Sequence, residues 1–246
     1  MIIFVFLIGL VFGSFISAIT WRIPRGIKIL DLKARSICPR CKNEIKWYDN
    51  IPLLSFLILG GRCRSCKKKI SARYPLIELS TALGFVAISY LATGLDGLYS
   101  ILIYLILFVI LFSIFVIDFE HQIIPDDLVY LGITFVIISN LKSPVGSLLA
   151  GLTSASILLL IHLITKGKGM GLGDVKFAVL GGMIVGLKLS LIWLFLAFLT
   201  GAVIGIILII GKKADLKSKI AFGPFLVITI PMTLIFGEKI LLFLNI

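Results

Sequence analysis

"MIIFVFLIGLVFGSFISAITWR", residues 1–22, decides what kind of chain this is. Positions 2–20 hold no charged side chain, and Arg22 follows almost at once. A helix needs about 20 apolar residues to cross the hydrocarbon core of a bilayer. The first positive charge comes after the apolar run, whereas a cleaved signal peptide carries it before. The segment therefore reads as a retained first transmembrane helix with its N-terminus outside.

The rest of the 246 residues follow suit: 59% are hydrophobic, 15% are charged and the mean hydropathy is +1.15. No water-soluble fold hides that much apolar surface. Further apolar runs predict spans near 76–94, 98–117, 128–141, 145–165, 174–187, 189–211 and 221–237, so the expectation is an all-α polytopic membrane protein of about eight helices. The net charge of +12 does not point to nucleic acid, because 14 of the 24 basic residues lie between Arg22 and Arg73. Threading the spans from an outside N-terminus puts loops 21–75, 119–127, 166–173 and 212–220 in the cytoplasm. Those loops and Lys176 hold every basic residue except Lys142, Lys188 and Lys239. Basic residues massed on one side report orientation. The expected division is a first helix (1–20), a cytoplasmic insert (21–75) turning at Gly60-Gly61, and a membrane core (76–246).

All four cysteines fall in the insert, as "CPRC" (Cys38, Cys41) and "CRSC" (Cys63, Cys66), 21 residues apart. Paired Cys-x2-Cys knuckles supply four thiolates for a tetrahedral Zn²⁺. A reducing cytoplasm disfavours the disulfide alternative. Four thiolates leave no open coordination position, so the zinc is expected to be structural and to hold an insert too small to fold unaided. The open alternative is four metal-free cysteines in a disordered loop.

Three acidic residues map to cytoplasmic helix ends: Glu78, Asp118 in "SIFVIDFEHQIIPDDL" and Asp174 in "GKGMGLGDVK". A carboxylate near hydrocarbon faces protein or a water-filled cavity, and a solvated interfacial aspartate is the plain alternative. Asp118 and Asp174 share a predicted depth. Two adjacent carboxylates can divide acid and base roles between them, which permits peptide hydrolysis without a metal. His121 reads as a loop residue and His162 as a packed or hydrogen-bonded one. "GMGLG" has neither the preceding strand nor the Gly-Lys-Ser/Thr of a phosphate loop. Its glycines instead permit unusual backbone angles and close approach before Asp174, which meets a favourable helix dipole. Lys176 balances charge there or snorkels to the interface.

"FGSFISAITWRIPRG" (12–26), "CPRCKNEIKWYDNIPLLSFLILGGRCRSCKKKISARYPLIELSTA" (38–82), "DFEHQIIPD" (118–126), "GLGDVK" (171–176) and "FGPFL" (222–226), in that order, resemble the bacterial prepilin peptidases. These type IV leader peptidases are intramembrane aspartic proteases of the Gly-x-Gly-Asp type. The resemblance implies that Asp118 and Asp174 are catalytic, while Asp126, Gly171, Gly173 and Lys176 shape the site. It implies cleavage of type IV prepilins and pseudopilins after a glycine at the cytoplasmic face of a bacterial inner membrane. Pilus or secretion machinery is the implied partner, and membrane lipid the surroundings. It also implies N-methylation of the new N-terminus with S-adenosylmethionine, an activity tied to the insert, for which Asp49, Asn50 and Glu78 are the candidates by motif position. Trp47, Tyr48 and "IPLLSFL" read equally as an interfacial segment, and the insert as a docking region in a peptidase without methyl transfer. A proton-coupled transporter and a zinc-stabilised secretion scaffold are the non-peptidase rivals.

Overall fold

The computed structural model describes residues 2–27, 36–91, 97–139, 143–213 and 220–244. The helices, in order, are α1 (Ile2–Arg22), α2 (Leu54–Ile58), α3 (Arg73–Leu91), α4 (Gly97–His121), α5 (Asp126–Ser139), α6 (Pro144–Ile164), α7 (Leu172–Val185), α8 (Leu187–Ile210) and α9 (Gly223–Leu244). The described residues contain no strand, only two isolated bridges, Ile37 with Glu44 and Arg62 with Lys69. The all-α class expected from the apolar runs is what forms. The expected span ends 92–94 and 140–141, Lys142, and loop stretches 28–35 and 214–219 lie outside the described residues.

Six helices (α1, α3, α4, α6, α8 and α9) are long and apolar enough to cross a membrane. Helices α5 and α7 have 14 residues each. At 1.5 Å per residue each reaches about 21 Å, short of the roughly 30 Å hydrocarbon core. The expected eight spans thus become six of crossing length and two shorter ones. The reasons are local. Pro125 and two acidic residues hold the start of α5, and α7 runs between the Gly171 loop and Gly186, whose φ is +85°.

The chain divides into two compact units, 1–113 and 114–246. In the first, α1 packs on α3. An added Cβ at Gly9 would stand 2.6 Å from the Ala82 Cα, and one at Gly13 2.5 Å from the Glu78 Cα. This Gly-x3-Gly spacing lets two helix backbones touch, which is how helices associate where lipid removes the hydrophobic drive. Arg73 ties the base of α3 to α1 by donating to Thr20 Oγ1 at 2.7 Å.

In the second unit α7 is the central helix, packed against α5, α6, α8 and α9. Its small residues allow this. A Cβ at Gly182 would meet the Ala150 carbonyl of α6 at 2.6 Å, and Gly181 accepts the indole of Trp193 from α8. Trp193 is fully buried and donates Nε1–H to the Leu226 carbonyl of α9 at 3.0 Å. Outward positions of α8 such as Leu191, Phe195 and Ile206 stay exposed, as lipid-facing side chains must.

Candidate functional site

Asp118 sits one turn before the end of α4. The helix stops because Gln122 takes a left-handed conformation (φ +55°) and donates its N–H back to the Asp118 carbonyl at 2.8 Å. Asp118 is only 4% exposed, and its Oδ2 is buried with no hydrogen-bond partner among the described residues. Opposite it stands Gly223, the first residue of α9. A Cβ there would lie 2.5 Å from Asp118 Oδ2 and 3.2 Å from Ile124 Cδ1.

Asp174 is the third residue of α7 and accepts the N–H of Gly171, the residue preceding that helix, at 3.1 Å. Gly173 turns its open side to Ile124, which a Cβ would meet at 3.2 Å. Ile124 therefore lies against both Gly173 and Gly223. The two carboxyls are close enough for Asp118 to act electrostatically on Asp174. Asp126 and Lys176 form an ion pair with Nζ 2.8 Å from both carboxylate oxygens, about half exposed on each side. His162 Nδ1 is 2.7 Å from the Met170 carbonyl and its ring lies beneath Gly167, so it pins the glycine loop. His121 is the last residue of α4 rather than a loop residue.

In the first unit the four cysteine sulfurs lie within 4.8 Å of one another. The two knuckles are built alike. Lys42 N–H donates to the Cys38 carbonyl and Lys67 N–H to the Cys63 carbonyl, each at 2.9 Å. Both lysines adopt positive φ, +62° and +57°. A tetrahedral thiolate site requires this arrangement, and four crowded thiols ionise together only around a cation. Against the opposing effect of burial, the Cys41 and Arg40 backbone donors bring the Cys38 thiol down to about 7. Cys41 rises to about 11, its own Asn43 backbone donor outweighed by burial and by the neighbouring cysteines. The donor set fits zinc.

A cavity of about 550 Å³ opens between the cysteine insert, α1 and α3. Asp49, Asn50 and Glu78 all line it, as do Arg64, Ser14 and Tyr74. Asp49 is already engaged: Arg64, set between the cysteines of the second knuckle, donates Nε–H to Oδ2 at 2.8 Å and an Nη2–H to Oδ1 at 2.7 Å. This fork, together with the Arg64 charge, holds the Asp49 carboxyl below the usual carboxylate range. Glu78, 8% exposed, accepts the Leu53 N–H through Oε2 at 2.8 Å. Asn50 has no hydrogen bond from its side chain among the described residues.

Residues 7–92 match the family model described as the bacterial peptidase A24 N-terminal domain, and residues 105–206 match that of the type IV leader peptidase family. The prepilin leader peptidase/N-methyltransferase of Pseudomonas aeruginosa is 34% identical over 265 residues, covering 95% of this chain and 90% of that protein. The chain belongs to the type IV leader peptidase family. Proteins of the same name from Aeromonas hydrophila (34% identity, 96% and 91% covered) and Neisseria gonorrhoeae (33%, 90% and 86%) are similar over nearly the same extent. No solved structure matches.

In this leader peptidase family member the structure brings together Asp118, Asp174, Gly171 and Gly173. Asp126 and Lys176 sit beside them as an exposed pair. Sequence reading missed Gly223 and Ile124 as wall residues, although "FGPFL" and "IIPD" contain them. It also missed Gly9-x3-Gly13, a motif visible in residues 1–22, and the tethering of Asp49 by Arg64. Nothing in the spacing of "WYDN" and "CRSC" announces that last contact.

Proposed function

We propose that this chain is a membrane-embedded aspartic endopeptidase that removes the leader of type IV prepilins and then methylates the exposed N-terminal amine. The convergence of Asp118 and Asp174 at the meeting point of α4, α7 and α9 carries the peptidase reading. Both side chains belong to one unit, and Asp118 Oδ2 is buried with no hydrogen-bond partner among the described residues, which leaves it for a reacting group. One carboxylate takes a proton from water, which attacks the scissile carbonyl carbon. The other, protonated, donates its proton to the carbonyl oxygen. As the tetrahedral intermediate collapses, the first passes the proton taken from water to the leaving amine and the second recovers its own from the hydroxyl. The Gly171 N–H orients Asp174 for this, while Asp126 and Lys176 shape the rim. No metal is required for these steps.

Four thiolates from Cys38, Cys41, Cys63 and Cys66 would hold a structural Zn²⁺, leaving no position for substrate. Residues 21–75 form the methyl-transfer part and 76–246 the peptidase core. S-adenosylmethionine, when bound, would supply a methyl group to the neutral amine, the carbon–sulfur electron pair staying on sulfur and the resulting ammonium releasing a proton to water. The 550 Å³ cavity is within the size range of small-molecule sites, and Asp49, Asn50 and Glu78 in its wall support donor binding there. A docking role for a basic leader fits less well. The insert between 36 and 72 carries eight basic residues against Glu44 and Asp49. The basic face lies on the cytoplasmic side of a bacterial inner membrane, where pilus or secretion machinery receives the product.

Purified protein incubated with a prepilin in detergent, with and without S-adenosylmethionine, tests both activities by product mass. Asp118→Asn and Asp174→Asn should each abolish cleavage in protein that still inserts and keeps its zinc. Robust processing by either variant sinks the reading.

A further inference from the structure

The segment 48–55 is closed on itself by hydrogen bonds. Ser55 Oγ donates to the Tyr48 carbonyl at 2.8 Å and accepts from Ile51 N–H at 3.0 Å, while Ser55 N–H donates to the Ile51 carbonyl at 3.0 Å. At its apex, Leu54 N–H donates to the Pro52 carbonyl at 2.6 Å, which makes Leu53 the centre of a γ-turn. Leu53 has φ +56° and ψ −47°. A γ-turn of positive φ is rare and strained for any residue with a Cβ. Such a conformation persists only when its surroundings hold it.

The group that holds it is Glu78. Its Oε2 accepts the Leu53 N–H, and the Glu78 backbone is fixed in turn by α1, whose Gly13 lies against it. At the other end Asp49 is gripped by Arg64 of the second cysteine knuckle. The closed segment is thus tethered by two carboxylates, one to α3 and one to the metal knuckle. Asn50 lies between the tethers, in the cavity wall, its amide making no hydrogen bond among the described residues.

Resting on the methyltransferase reading above, we propose that Glu78 is a positioning residue for methyl transfer, clamping Leu53 N–H so that Asn50 is presented to the donor. Asp49 acts likewise through Arg64, and of the three candidates only Asn50 touches the ligand. Two variants separate reach from charge. Glu78→Gln keeps a carbonyl oxygen in place for Leu53 N–H but loses the charge. Glu78→Asp keeps the charge but is one methylene too short.

In full-length protein, equilibrium binding of S-adenosylmethionine should be within a few-fold of normal for Glu78→Gln. For Glu78→Asp it should weaken about tenfold, the scale of one lost hydrogen bond to the ligand. Hydrogen exchange over 51–55 should quicken in Glu78→Asp alone. Zinc content and prepilin cleavage report that each variant is folded. Equal loss in both variants, loss in Glu78→Gln alone, or no loss in either overturns the proposal. Absence of methylation by the unaltered chain instead overturns the underlying reading, and this one with it.

Discussion

At the residue scale, Gly223 is as constrained as the aspartate it faces. A methyl group there would stand 2.5 Å from Asp118 Oδ2, and the atom that must give way is the end of a side chain, not backbone. Gly223→Ala should therefore leave folding nearly intact while rotating the carboxyl out of place. Cleavage should fall on the order of 100-fold with little change in melting temperature, since small displacements of reacting groups cost that much. Asp49 gives a pH prediction. Hydrogen bonding and charge from Arg64 depress its folded-state pKa, so the stabilisation is complete above the unfolded value, near 3.9, and is lost only as pH falls through the lower folded one. Exchange protection over 47–50 should persist on acidification to about pH 5, well above that window. Asp49→Asn should lack this protection even at neutral pH. Early loss in the unaltered chain would contradict the clamp.

At the scale of elements, the insert depends on its cysteines more than on packing. Trp47 is 80% exposed and the outward positions of α2, Leu57 and Ile58, are 73% and 71% exposed, so little apolar surface is left to build a core. With the proposed zinc bound, metal–thiolate bonds would carry the folding free energy of the segment. Cys38→Ser and Cys63→Ser should each release zinc, measured by atomic emission, and abolish methylation through loss of the Arg64–Asp49 tether. Cleavage should survive, because Asp118 and Asp174 both belong to the second unit. Methylation by a zinc-free variant would refute the dependence. Helices α5 and α7 make a second point at this scale. Their ends were legible in Pro125 and in the glycines around 171 and 186, and the apolar windows 128–141 and 174–187 lie within two residues of the helices that form; their length is simply too short to cross.

At the scale of the whole molecule, close backbone contact does what the hydrophobic effect does in water. The α1–α3 pair rests on Gly9 and Gly13, where an added Cβ would meet backbone atoms that cannot step aside. Gly13→Val should destabilise the first unit by about 1–3 kcal/mol, the usual penalty for overpacking, and should displace Glu78. The readouts are thermal unfolding in detergent and weakened S-adenosylmethionine binding. An unchanged melting profile would show that the helices have room to part. The aspartates, on α4 and α7, should be untouched by this change in the other unit.

The amino-acid sequence by itself determined the membrane class, the helical order, the cysteine knuckles and the two aspartate segments. Each of these is local: an apolar run, a Cys-x2-Cys spacing, a carboxylate at a helix end. Tertiary structure alone decided that Gly223 and Ile124 wall the aspartate pair, that Arg64 occupies Asp49, and that Glu78 holds a strained turn across 25 residues of chain. These contacts join residues far apart in sequence, and no periodicity or spacing encodes which partner a buried carboxylate meets. The physical reason is that a desolvated polar group must be satisfied by whatever the fold brings to it, and only the packed helices specify what that is.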